Sequence, residues 1–155
     1  MPHDHRRLAI DFNQRAWTLI DRKDRSTEEA DEMIGAAHAS LMHWLKAGTG
    51  VNQQRGEWLI ARAYAEAGRA EPARHHLDRM LALTERYRDD LADFDIAFAE
   101  ALAARVEALS GRSEAALVRY AEAQRLGEAI GDEDDRRAFF DQLREGPWFG
   151  LEPPT

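Results

Sequence analysis

Apolar residues recur along most of the chain at spacings of three and four, the period of a helix that buries one face. In three places an apolar residue is followed by two more, four and then seven positions later: Ala30, Ile34, Ala37; Ala73, Leu77, Met80; and Ala116, Tyr120, Ala123. The usual signals of strands, which are β-branched runs and Asn-Gly or Asp-Gly hairpin turns, are missing. The pattern therefore predicts an all-α protein.

These three apolar stripes belong to an internal repeat with a period of 43 residues. Residues 68–73 (GRAEPA) are matched by residues 111–116 (GRSEAA), and the same shift backwards reaches residues 25–30 (RSTEEA). Each matched segment ends on the first residue of its stripe. Each turn therefore opens a helix whose apolar face has the same phase. The repeat predicts a series of similar helix hairpins.

Helix-ending and helix-starting residues divide the pattern into seven predicted helices. Four glycines stand where a helix would end in a left-handed residue: Gly48, Gly68, Gly111 and Gly131. Ser26 with Glu29 forms the pattern of a capping box, and Ser113 and Asp132 are typical of helix starts. The predicted helices cover residues 5–23, 27–47, 52–67, 71–87, 92–110, 114–130 and 132–145.

We expect one domain over residues 1–155 that contains three hairpins, a capping helix and a tail. The hairpins occupy residues 5–47, 52–87 and 92–130, and the capping helix occupies residues 132–145. The tail, residues 146–155, contains three prolines beside Trp148 and Phe149 and is not helical. We expect the aromatic pair to fold back over the capping helix, with burial against a second copy of the chain as the alternative.

The hairpin signature resembles that of tetratricopeptide repeats, over residues 55–84 and in part over 98–127. The positions that carry the resemblance are Ile60, Ala61, Tyr64, Gly68, Ala73, Leu77 and Met80. Three features depart from the family pattern. The signature tryptophan falls one residue late, at Trp58, and in the second copy Glu107 occupies the aromatic position that Tyr64 fills in the first. The period of 43 also exceeds the family's usual period of about 34. The resemblance implies a right-handed superhelix of antiparallel hairpins with longer helices. Residues 38–95 are also similar to uncharacterised bacterial proteins of this architecture.

Composition and charge exclude several classes of function. The chain contains no cysteine, which excludes disulfides, thiol nucleophiles and thiolate zinc sites. A net charge of -8 without any basic block argues against nucleic acid. No apolar run approaches the ~20 residues of a membrane span, and the first residues lack the apolar stretch of a signal peptide. We therefore expect a cytoplasmic protein that does not bind membranes.

The third predicted helix carries arginine and tryptophan opposite its apolar stripe. The stripe consists of Ile60, Ala63, Tyr64 and Ala67. The opposite face consists of Arg55, Trp58, Leu59 and Arg62. In tetratricopeptide repeats the first helix of each hairpin lines the concave side, so the resemblance implies that this opposite face is open.

The 43-residue shift places equivalent residues on the first and fifth predicted helices: Phe12, Arg15, Leu19, Phe98, Ala101 and Arg105. Guanidinium groups bind carboxylates with two hydrogen bonds and also stack on aromatic rings. We therefore predict a groove that binds an acidic peptide or a carboxylate on a partner protein. The candidate binding residues are Phe12, Arg15, Asn52, Arg55, Trp58, Arg62, Phe98 and Arg105. The alternative is that the arginines are solvated or ion-paired and the aromatic residues pack against neighbouring helices.

Histidine and aspartate provide weaker candidates for metal binding or catalysis. His38 and His43 are five residues apart, about 140° around a helix, and cannot chelate one ion unaided. A metal site would have to be built across helices, for example from His38 or His43 with Asp93 or Asp95, and we expect neither a metal nor a cofactor. The alternative function is a small-molecule or metal-dependent enzyme with these four residues, Asn52 and Arg55 around a pocket. A self-associating homodimer is the third hypothesis.

The same 43-residue shift relates Asn52 to Asp95, at or near the starts of the third and fifth helices. We expect both side chains to be N-caps that accept a backbone N–H.

Overall fold

The computed structural model describes residues 2–153 and contains seven α-helices. They are α1 (Pro2–Asp21), α2 (Thr27–Ala47), α3 (Gly50–Glu66), α4 (Ala70–Arg86), α5 (Asp93–Leu109), α6 (Ser113–Glu128) and α7 (Glu133–Glu145), with a 3-10 turn at Arg88–Asp90. No strand occurs between residues 2 and 153, which confirms the all-α prediction. Over the same range, no helix is both long enough and apolar enough to cross a membrane.

The 43-residue repeat is also a repeat of backbone structure. Helices α2, α4 and α6 begin at residues 27, 70 and 113, and α3 and α5 begin at residues 50 and 93. Gly68 and Gly111 are both left-handed, with φ of 73° and 78°. The next residue in each turn donates its N–H to a carbonyl in the preceding helix, Arg69 to Tyr64 and Arg112 to Glu107, at 2.9 Å in both copies.

Two of the four predicted left-handed glycines do not adopt that conformation. Gly48 has a φ of -108°, and its N–H donates to the carbonyl of Trp44 at 2.7 Å. Gly131 is also outside the left-handed region, and its N–H donates to the Asp93 carboxylate at 3.0 Å. The prediction was wrong at these turns because the chain leaves the helix in an extended conformation or is held by a side chain.

The predicted capping residues act at helix starts, although two of them do so from a different position. Ser26 Oγ accepts from Glu29 N at 3.1 Å, and Ser26 N donates to Glu29 Oε1 at 3.2 Å, which completes the capping box. Asn52 and Asp95 are not N-caps. Each is the third residue of its helix and accepts the N–H of the N-cap residue, Thr49 at 3.1 Å and Ala92 at 3.0 Å.

The contacts of the chain divide it into two units, Met1–Tyr87 and Arg88–Thr155. In the first unit α1 packs on α2, α2 on α3, and α3 on both α4 and α1. Its core consists of Ala16, Leu19, Ile20, Met33, Ile34, Ala36, Ala37, Leu41, Leu59, Ile60 and Ala63. Arg25 closes the end of α1 by donating to the carbonyls of Leu19 and Ile20, each at 3.0 Å, and it also reaches Glu66 at 3.1 Å.

In the second unit α5, α6 and α7 pack on one another. Its core consists of Ala97, Ala101, Ala104, Tyr120, Ala123, Ile130, Phe139 and Leu143. The tail returns to α7, because Trp148 Nε1 donates to the carbonyl of Leu143 at 2.9 Å and its ring meets Tyr120 edge to face at 5.0 Å. Phe149 remains 36% exposed.

Candidate functional site

The α3 face that was predicted to be open is largely buried. Arg55 is exposed and Trp58 is half-buried, but Leu59 and Arg62 are only 2% and 6% exposed. The prediction was wrong for Leu59 and Arg62 because α3 packs against α1, α2 and α4, so it has no broad solvent face. Arg62 donates from Nε to Glu66 at 2.9 Å, and its guanidinium carbon lies 5.9 Å from the centre of the Trp58 ring.

Of the three residues that the repeat placed on the matching face of the first helix, only Arg15 is exposed. Phe12 packs against the core and stacks on His43 with 5.9 Å between ring centres, and Leu19 is fully buried. Arg15 is exposed and forms an ion pair with Glu32. The predicted face is thus buried on α1 at Leu19 just as it is on α3 at Arg62, the residue that the 43-residue shift aligns with it.

Trp17, which the 43-residue shift aligns with Ile60 and not with a predicted groove residue, meets Trp58. The two indole rings stack with 5.6 Å between their centres, which joins α1 to α3. We call Trp17, Arg55, Trp58 and Arg62 the tryptophan patch. Its three α3 residues lie on one stripe, since they are three and four positions apart. The patch therefore combines an exposed guanidinium, a half-buried indole pair and a guanidinium that is already neutralised by Glu66.

The second unit holds two more predicted binding residues, and both take part in its packing. Phe98 meets Phe139 edge to face at 5.0 Å. Arg105 is 2% exposed and donates to the carbonyl of Gly146 at 2.8 Å, with its guanidinium 5.0 Å from the centre of the Trp148 ring. Contacts of this kind agree with the alternative hypothesis, in which the arginine and aromatic residues pack against neighbouring helices.

The carboxylates proposed for metal binding or catalysis hold backbone N–H groups. Asp93 binds the N–H of Gly131, and Asp95 binds that of Ala92. His43 lies with its Nδ1 atom 2.9 Å from Nδ1 of His5, on α1. Among residues 2–153, no three histidine or carboxylate side chains are grouped closely enough to hold a metal ion.

A cluster of polar side chains that sequence analysis did not predict joins α2, α3 and α4. We call it the histidine cluster, and its members are His38, Glu57, Tyr64, His76 and Arg79. Glu57 is 2% exposed and accepts from His76 Nδ1 at 2.7 Å and from Arg79 Nε at 2.9 Å. His38 Nε2 lies 3.0 Å from the hydroxyl of Tyr64. The rings of His38 and His76 meet edge to face at 5.2 Å, and Tyr64 stacks on His76 at 5.7 Å.

The electrostatics of the histidine cluster disfavour a charge on His38. Burial lowers the pKa of His38 below its usual value, the positive charge of His76 lowers it further, and the Glu57 carboxylate acts in the opposite direction. Because a carboxylate only accepts hydrogen bonds, His76 carries its proton on Nδ1. The other ring nitrogen of His76 is then free to act as an acceptor while His76 is neutral.

An open depression of about 520 Å³ in the second unit also contains arginines. It is lined by Glu128, Glu133, Arg136, Arg137, Phe140 and Arg144. Arg144 is paired with Asp141, and Arg136 donates to the carbonyl of Ile130 at 2.9 Å. Its guanidinium groups are thus engaged by neighbouring acids and carbonyls.

Comparison with known proteins adds no family: no protein-family model, no curated protein and no solved structure matches the chain.

Proposed function

We propose that the protein is a binding module that recognises an acidic peptide segment of a partner protein, with the tryptophan patch as its contact surface. The observation that supports this proposal is that exposed Arg55 lies three residues before Trp58 on the same helical stripe, and that the indole of Trp58 stacks on that of Trp17. The groove predicted from sequence is thereby reduced to its first-unit portion, since Arg105 and Phe98 are engaged in packing the second unit.

The chemistry of the patch suits a carboxylate next to an apolar or aromatic side chain. Arg55 presents its guanidinium at the surface, and guanidinium groups bind carboxylates with two parallel hydrogen bonds. An aromatic side chain of the peptide would pack on Trp58, because offset and edge-to-face ring contacts are favourable. Arginine and tryptophan are also the residue types that most often dominate binding energy at interfaces.

Fluorescence anisotropy with labelled peptides tests the proposal. The probe is a short peptide of aspartate and glutamate around one phenylalanine, and the comparison peptide carries lysine in place of each acid. We expect the intact protein to bind the acidic peptide more tightly than the basic one. Arg55→Glu should weaken this binding by about tenfold or more, because a hydrogen bond to a charged group contributes ~1.5–3 kcal/mol.

The matched control is Arg7→Glu, which makes the same charge change at an exposed position of α1. It should leave the affinity within about twofold of the native value, because Arg7 is not part of the tryptophan patch and interactions between exposed charges are weakened by salt. Equal losses in the two variants would show that only net charge matters. That result, or equal affinity of the native protein for both peptides, would refute the proposal.

We also propose that the helix hairpins form a tetratricopeptide-like superhelix, and that the protein is a bacterial protein of the cytoplasm. The equivalent left-handed turns at Gly68 and Gly111, 43 residues apart, support the repeat architecture.

Self-association through the tail is the alternative function, and the 36% exposure of Phe149 supports it. Sedimentation equilibrium of the native chain and of Phe149→Ser tests it, with a dimer expected only for the native chain.

A further inference from the structure

The histidine cluster connects three helices and contains a single carboxylate. His38 belongs to α2, Glu57 and Tyr64 belong to α3, and His76 and Arg79 belong to α4. Glu57 is the single carboxylate of the cluster, and it is already shared between His76 and Arg79. Within the cluster, the polar contact of His38 is with the hydroxyl of Tyr64. A positive charge on His38 would therefore lie beside His76 without a carboxylate of its own.

We infer that the histidine cluster is an acid-sensitive lock, which holds α2 and α4 against α3 at neutral pH and loosens when His38 takes up a proton. The inference does not depend on the proposed function. It rests on the three-helix arrangement of the cluster and on the fact that its one carboxylate already accepts hydrogen bonds from both His76 and Arg79.

The charged and titratable groups around His38 come from both helices that meet it. On α3 they are Tyr64 and Glu57, and on α4 they are His75, His76 and Arg79. The guanidinium of Arg69 lies 5.2 Å from the centre of the Tyr64 ring and adds another positive charge. On α1, which packs on the other side of α2, the contacts of His5 and Arg15 run to His43 and Glu32.

The direction of the pH dependence follows from burial. The pKa of His38 is lowered in the fold, first by burial and then by the charge of His76. The unfolded chain therefore binds this proton more readily than the folded chain. The contribution to stability is complete above the unfolded histidine value of about 6.5 and is lost as the pH falls through and below it. One proton changes the unfolding equilibrium constant by at most about tenfold per pH unit.

Urea unfolding of the full chain at pH 7.5 and pH 5.0 tests the lock. The quantity compared is the ratio of the unfolding equilibrium constants at the two pH values, because other acids and histidines also titrate. His38→Gln keeps a polar group near the Tyr64 hydroxyl but cannot take up a proton. We expect the ratio for the native chain to exceed that for His38→Gln by about fivefold. His75→Gln, the control on the neighbouring exposed histidine, should keep the native ratio.

Equal ratios for the native chain and His38→Gln would overturn the inference. A second measurement needs no variant and applies even if His38→Gln does not fold. The ring protons of His38 are followed by NMR during a pH titration of the native chain. We expect a midpoint below the value of about 6.5 for a free histidine, together with broadening or loss of amide signals at the contacts of α2 with α3. A midpoint at or above that value would also overturn the inference.

Discussion

Replacing Gly127 by alanine should destabilise the protein, although alanine is the better helix former. Gly127 lies inside α6, and a Cβ atom there would come within 2.3 Å of Phe139 Cε1, 2.6 Å of Phe139 Cδ1 and 3.0 Å of Phe140 Cζ. Phe139 is completely buried, so its ring cannot move away without displacing other core residues of the second unit. The glycine is thus required by packing and not by its backbone conformation.

Two opposing contributions set the magnitude. Glycine to alanine inside a helix normally stabilises by ~0.8–1 kcal/mol, and forcing an extra carbon into a packed core costs ~1–3 kcal/mol. We place the overlap at Phe139 at the upper end of that range, because real Cβ contacts essentially never fall below 3.0 Å. The expected net change is therefore a loss of about 1–2 kcal/mol in the free energy of unfolding.

Gly35 provides the matched control inside α2. It is exposed, and a Cβ atom there would have nothing within 4 Å. Gly35→Ala should stabilise by ~0.5–1 kcal/mol. Urea unfolding followed by circular dichroism and by tryptophan fluorescence measures both variants. The reasoning about packing would be refuted if Gly127→Ala were as stable as the native protein, or if both variants shifted in the same direction.

Two further predictions concern the repeat and a buried hydrogen bond. Gly68→Ala and Gly111→Ala should each destabilise by ~1–2 kcal/mol in urea unfolding, because both glycines are left-handed, and clearly unequal losses would count against their equivalence. Thr84→Val should cost ~1–3 kcal/mol, since it leaves the buried amide of Gln54, now 3.1 Å from the Thr84 hydroxyl, unpaired. Thr18→Val, at an exposed threonine that also bonds to the carbonyl four residues before it, should stay within ~0.5 kcal/mol of the native stability; similar losses for both threonines would contradict this account.

The helices were predictable because their signals are local. The 43-residue period and the capping residues placed every helix boundary within three residues of its position in the structure. Conformations that depend on the next segment of chain were not predictable in this way. At Gly48 the link to α3 is short and extended, and at Gly131 a carboxylate from α5 supplies the hydrogen bond.

The candidate site was harder to predict, because its geometry depends on how many neighbours each helix has. A helical wheel divides α3 into an inner and an outer face, but its three neighbouring helices also bury part of the outer face, at Leu59 and Arg62. The contact between Trp17 and Trp58 gave no periodic signal, because the 43-residue shift aligns them with Ile60 and Arg15, which are not aromatic. The histidine cluster brings together His38 on α2 and His76 on α4, and the whole of α3 lies between these helices in the chain. Residue spacing within one helix cannot predict such a contact.

The indole N–H signals of the four tryptophans test the proposed binding surface most directly. They are followed in two-dimensional NMR spectra while the acidic, phenylalanine-containing peptide is added to the native protein. We predict that the signals of Trp17 and Trp58 shift, whereas those of Trp44, which lies beside Arg6, and of Trp148 in the second unit do not. Shifts at Trp44 or Trp148 without any at Trp58, or no shift at all in millimolar peptide, would contradict the account.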